Sequence, residues 1–187
     1  MKVLIACECS GAVRRAFRAL GHNAWSNDIQ PADDGGEHIQ GDCVDAIRLG
    51  WDLIIMHPPC TALAVSGNRW YGIGMPLHEE RLKSIEWTIA LWTLAISNSP
   101  RVAMENPVGV IPIQASQYIH PWQFGHGETK KTGLWLHNLQ NLIPTEIVEG
   151  RDARIHKMPP SADRAKLRSE TYKGIANAMA EQWGGTQ

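Results

Sequence analysis

Apolar positions follow two rhythms along this chain. Residues 2–7 are an almost unbroken apolar run closed by a Ser10-Gly11 turn, and predict a short buried strand. Ala12, Val13, Ala16, Phe17 and Leu20 then recur at helical spacing until Gly21, a natural C-terminal stop. Residues 22–26, 37–41 and 52–56 read as three further strands, the last running directly into His57-Pro58-Pro59. A long helix over 78–97 presents Leu82, Ile85, Ile89, Leu91, Trp92, Leu94 and Ala95 on its apolar face. Strands at 101–104 and 133–136 and a helix at 172–183 complete the pattern. Strands alternating with helices imply an α/β fold, a doubly wound and mostly parallel sheet that takes ligands outside the carboxyl ends of its strands. Two Pro- and Gly-rich stretches, 67–76 and 108–127, are long enough to predict functional or mobile loops.

Length and composition set outer bounds on this picture. With 187 residues, 43% hydrophobic and 20% charged, the chain fits one globular domain spanning 1–187. Its apolar runs are far shorter than the roughly 20 residues that cross a bilayer. The N-terminus, which reaches Glu8 and Arg14-Arg15 quickly, lacks a secretory pattern, so a cytoplasmic location without membrane contact is expected. Four cysteines in such a chain are expected to be reduced thiols. None is paired at zinc-ligand spacing, and no metal is expected.

Net charge is −1, but its distribution is uneven. Residues 26–52 carry seven acids (Asp28, Asp33, Asp34, Glu37, Asp42, Asp45, Asp52) against Arg48 alone. Residues 151–173 carry seven bases (Arg151, Arg154, Lys157, Arg164, Lys166, Arg168, Lys173) against three acids, a candidate phosphate-contacting surface or a solvated basic segment.

Three turns at successive strand ends suggest a nucleoside pocket. The Cys7-Glu8-Cys9-Ser10-Gly11 turn brings backbone N–H groups and a helix N-terminus toward a ligand. Asp28, at the end of the second strand, suits ribose hydroxyls. Asp42, after the third, could accept from an adenine amino group. Beyond the fourth strand two prolines stiffen the chain and present Cys60, and beyond the strand at 101–104 stands Glu105-Asn106-Pro107. If the helix 78–97 is a right-handed crossover, the flanking strands are parallel neighbours, and Cys60 and Glu105 leave the same edge of the sheet. A soft nucleophile beside a carboxyl group suits covalent catalysis with proton help. The plainer alternatives are a buried structural cysteine and an ion-paired turn glutamate. Trp70 and Trp122 could stack on a base or pack their own loops.

In this order the motifs resemble the cytosine-C5 DNA methyltransferase family. Pro59-Cys60, Ser66-Gly67 and Arg69 are similar to its PCQ-x-x-S-x-x-G-x-R catalytic loop, and Tyr172-x-Gly174-Ile175-Ala176-Asn177-Ala178 resembles its closing helix. The resemblance implies an S-adenosylmethionine-dependent enzyme of Rossmann-like fold. Cys60 would attack C6 of a flipped-out cytosine, Glu105 would contact N3 and the exocyclic amine, and Lys130 would stand in the family's Q-x-R-x-R element, here Glu128-x-Lys130-x-Thr132. The implied cofactor set is Cys9, Ser10, Gly11, Asp28, Asp42, Cys43, Pro59 and Asn177. The family's large target-recognition region has no counterpart, and a basic linker over 139–171 takes its place, as in a compact, phage-like member. The implied partner is DNA, with RNA or a nucleotide as alternatives, together with a separate specificity subunit or a second copy of the chain. A catalytically weak binding protein that kept the fold is the remaining alternative.

Overall fold

A computed structural model describes residues 1–159, 161 and 164–185. The chain winds β1 (Lys2–Ala6), α1 (Ala12–Ala19), β2 (Asn23–Asp28), β3 (His38–Gln40), α2 (Cys43–Ile47), β4 (Leu53–Met56), α3 (Asn68–Tyr71), α4 (His78–Asn98), β5 (Val102–Pro107), β6 (Gln117–Ile119), β7 (Thr132–His137), α5 (Arg154–Lys157), α6 (Arg164–Ser169) and α7 (Lys173–Gly184). The seven strands lie in the order β3-β2-β1-β4-β5-β7-β6. All pairings from β3 to β5 are parallel, and β7 runs antiparallel to both β5 and β6. This is the mostly parallel α/β sheet that the strand and helix alternation predicts.

The sheet is covered on both faces, which explains the continuous apolar runs of its central strands. Successive strand residues point to opposite faces. Val3, Ile5, Leu53 and Ile55 therefore meet Val13 and Phe17 of α1 and Ile175, Met179 and Trp183 of α7. Leu4, Ala6, Ile54 and Met56 meet Ala46 and Ile47 of α2 and Leu91 and Ala95 of α4. All four residues of β4 are fully buried. Among the described residues no helix is long and apolar enough to cross a membrane.

Three features depart from the sequence reading. Helix α2 is too short to show a 3.6-residue period, and it is started by Asp42, whose carboxylate accepts from the Val44 N–H at 2.9 Å. Strand β6 is three residues inside a Pro-rich stretch and exists only by pairing with β7. Glu105-Asn106-Pro107 does not follow β5 but belongs to it, paired with Leu134, Gly133 and Thr132 of β7. The non-local partner extends a strand whose apolar pattern had already ended.

The interval 139–171 is bound to the rest of the fold. Trp183 donates its indole N–H to the Gln140 carbonyl at 3.0 Å, and Gln182 and Ile143 exchange two hydrogen bonds. Phe124 bridges Glu146, and Glu128 bridges Asp152. The interval contains α5 and α6, while Pro160, Ala162 and Asp163 lie outside the described residues.

Candidate active site

The carboxyl ends of β1, β4 and β5 open into one cavity of about 930 Å³. Its floor follows from the register of the central strands. Met56 pairs with Met104, so the next residues, His57 and Glu105, face each other across the strand ends. His57 Nδ1 and Glu105 Oε2 are 3.1 Å apart. Asn106, fully enclosed, donates its side-chain amide to the Pro58 carbonyl at 2.8 Å, which ties the Pro58-Pro59-Cys60 turn to β5. Cys60 and Glu105 therefore line the same wall, and their nearness is felt electrostatically. Burial and the Glu105 charge push the Cys60 thiol above its ordinary pKa, while Lys130 and Arg168 pull it down. Burial alone would raise the Glu105 carboxyl, but the His57 hydrogen bond, the Lys130 and His57 charges and the Thr132 hydroxyl bring it below its ordinary value.

The loop after Cys60 is anchored from α4. The buried Arg81 guanidinium donates to the Ala62 and Ala64 carbonyls and to Asn68 Oδ1, at 2.7, 3.3 and 2.8 Å. That clamp holds Gly67, Trp70 and Tyr71 on the cavity wall. Trp70 remains 52% exposed at the rim, whereas Trp122 packs with His120 and with Arg151, whose guanidinium lies 4.0 Å from its ring.

The β1 end forms the opposite side. Glu8, which sequence reasoning passed over, is buried and accepts from the Val13 N–H at 2.8 Å and the Ser10 hydroxyl at 3.2 Å, capping α1. Gly11 has φ +68, and a Cβ there would meet the Arg14 guanidinium at 2.5 Å. The turn is thus shaped for glycine, although Gly11 itself is not on the wall. Cys9, Ser10, Asp28 and Pro59 line the cavity, with the Asp28 carboxylate accepting from the Gln30 N–H at 2.9 Å. A carboxylate at the end of β2 and the glycine-shaped turn after β1 fit the ribose and carboxylate ends of S-adenosylmethionine.

Four residues expected beside a cofactor lie off the cavity wall: Gly11, Asp42, Cys43 and Asn177. Asp42 spends its carboxylate on capping α2, and Cys43 is buried at the start of that helix. Asn177 is exposed on α7, because the inward face of that helix is filled by Ile175, Ala176, Met179 and Ala180.

Lys130 lines the wall and donates from Nζ to the Arg168 carbonyl at 2.8 Å. The basic segment also reaches the cavity through Ser161, Arg164 and Arg168. Arg164 and Arg168 are one helical turn apart on α6, an i,i+4 spacing that the sequence displayed but that pointed nowhere until the helix was placed. His57, the residue immediately before the Pro-Pro exit, was likewise legible only as a strand end. Among the described residues no cluster of His, Cys, Asp or Glu is arranged to hold a metal ion.

Comparison with solved structures identifies the fold. An Entamoeba histolytica methyltransferase, EhMeth, superposes with a TM-score of 0.50 at 14% identity over 87% of this chain and 61% of that one. S. pombe Dnmt2 methyltransferase gives 0.49 at 13% identity, over 88% and 56%. The chain therefore spans about three fifths of the length of these proteins. No family model matches the sequence, and no curated protein matches it. The likeness is one of architecture: a seven-stranded, mostly parallel sheet of the Rossmann-like kind.

Proposed function

We propose that this protein is an S-adenosylmethionine-dependent methyltransferase that modifies C5 of cytosine in DNA through a covalent Cys60 adduct. The observation that carries the reading is the convergence of Cys60 and Glu105, from two adjacent parallel strands, on the cavity that the β1 turn and Asp28 also line. S-adenosylmethionine, when bound, supplies an electrophilic methyl group, and Cys9, Ser10, Asp28 and Pro59, which line the cavity, are the residues that would hold it.

The remaining chemistry belongs to the chain. A cytosine must leave the base stack before its C6 is exposed to a thiol. Cys60 Sγ forms a bond to C6 as its proton passes to the Glu105 carboxylate, and the electron pair displaced from the C5–C6 double bond is shared between C5 and the ring. Glu105 accepts a hydrogen bond from the exocyclic amine and hands the thiol's proton on to N3, which neutralises the ring. The enriched C5 accepts the methyl group, and loss of the C5 proton to solvent then restores the double bond as the C6–Sγ bond breaks and the N3 proton returns through Glu105 to sulfur. Lys130 and Arg168 favour the thiolate on which the first step depends.

The test is transfer of labelled methyl groups to duplex DNA, single-stranded DNA, RNA and cytidine nucleotides by the purified chain, with calorimetry of cofactor binding. Transfer to DNA cytosine is expected. Cys60→Ala should abolish it while cofactor affinity stays within about threefold. Transfer to RNA or nucleotides alone would redirect the substrate assignment. Unchanged transfer by Cys60→Ala would end the covalent reading.

A further inference from the structure

Glu105 does not hold its own orientation. A glutamate carboxyl turns easily about its terminal torsion, which is broad and two-fold rather than sharply staggered. A group that must meet two atoms of a base within hydrogen-bond distance needs that freedom removed, since a 1 Å misplacement can cost about 100-fold in rate. The groups facing Glu105 are His57 from the end of β4, Cys60 from the following turn, and Lys130 and the Thr132 hydroxyl from the β7 side. Lys130 acts on it through charge, its Nζ donating to the Arg168 carbonyl. His57 is different, because its ring directly contacts one carboxylate oxygen, Oε2, at 3.1 Å.

The direction of that bond follows from the partners. An ionised carboxylate only accepts, so Nδ1 must carry the hydrogen. Nε2 is buried and has no partner among the described residues, so the contact through Nδ1 is the ring's one hydrogen bond there. The ring is itself immobilised. Its side chain is 10% exposed, its backbone closes β4 by donating to the Ala6 carbonyl at 3.0 Å, and the two prolines after it are tied to β5 through Asn106.

We propose that His57 is a positioning residue for the reaction: its Nδ1–H fixes Oε2 of Glu105, so that the carboxyl group is set in rotation and charge before a base enters the cavity. This rests on the reading of Glu105 as the base-contacting group. His57 touches no reacting atom and acts through Glu105 alone.

Two variants and one wild-type measurement test it. His57→Asn places an amide N–H close to where Nδ1–H stood, and His57→Phe keeps a ring without the donor. The Glu105 carboxyl is followed by 13C NMR titration in the free protein, and kcat and KM by methyl transfer across pH. His57→Phe should raise the Glu105 titration midpoint by at least one pH unit, lower kcat tenfold or more with KM for the cofactor unchanged, and move the acidic limb of the rate profile upward. His57→Asn should restore both to within about threefold. An unmoved midpoint in His57→Phe, or equal impairment in both variants, would overturn the proposal. Should the variants not fold, the 15N shifts of the wild-type ring decide it: a proton on Nδ1 is required, and a bare Nδ1 with the proton on Nε2 sinks it. If the wild-type protein transfers no methyl group, the functional reading falls, while the NMR results still judge the His57 to Glu105 bond.

Discussion

The Cys60 thiol sits next to the carboxylate with which it is proposed to act, and that neighbour adds to burial in keeping the proton on sulfur. Lys130 and Arg168 pull the other way, which gives Lys130 a role beyond touching a base. A thiol whose pKa is raised becomes a nucleophile as pH increases, so alkylation of Cys60 by iodoacetamide should accelerate through an alkaline limb. Lys130→Met should shift that limb further up and slow alkylation at pH 8 several-fold, read by mass spectrometry. An unchanged alkylation profile would show that Lys130 does not tune the thiol. At this scale the sequence marked Cys60 by its own local signal and Lys130 only through the family resemblance, with no hint that it acts on the thiol, because a Pro-Pro exit from a strand is written in consecutive residues whereas a charge two strands away is not.

At the level of elements, the segment between β2 and β3 is stapled to α1. Arg14, almost entirely buried, pairs with Asp34 and donates to the Ser26 hydroxyl at 2.8 Å, and Arg15 also pairs with Asp34. Burial opposes the charge on Asp34, but hydrogen bonds from Arg14, the Gly36 N–H and Arg15 outweigh it and hold the carboxyl well below the usual carboxylate range. A depressed folded-state pKa contributes stability that is present above the unfolded value and is lost as pH falls through the folded one. The staple should therefore be at full strength at neutral pH and weaken from about pH 4 downward. Denaturant unfolding of wild type and Asp34→Asn should show the variant less stable at pH 7, with the gap narrowing as pH falls toward 2. A gap independent of pH would refute the linkage. The seven acids of residues 26–52 read as one acidic stretch in the sequence, yet the fold assigns them separate tasks: Asp34 in this staple, Asp42 in a helix cap, Asp28 on the cavity wall.

For the whole molecule, the balance of charge matters more than its sum. A net charge of −1 hides a cavity whose wall carries Lys130, Lys131, Arg164 and Arg168 opposite the acidic Asp28 and Asp33. A polymer engaged by that basic side should release counterions, so its affinity should fall steeply with salt, whereas a mononucleotide's should fall little. Fluorescence anisotropy with labelled DNA across 50–200 mM salt should show such a slope. Arg164→Ala and Arg168→Ala should each reduce the slope by about one. A flat salt dependence would favour a nucleotide substrate instead.

The sequence by itself determined the alternation of strands and helices, the fully buried central strands, and the crossover that sends Cys60 and Glu105 out of the same sheet edge. Those features depend on local periodicity and on the handedness of short connections, both of which are written in consecutive residues. Only the tertiary structure decided that β6 exists, that β5 runs on through Glu105, which acidic side chains remain open to the cavity, and that Ser161, Arg164, Arg168 and Thr171 join its wall. It alone also set His57 against Glu105, 48 positions apart. Such contacts depend on strand register and on the packing of distant elements, and a side chain spent on a cap or a staple reads the same in sequence as one left free to act.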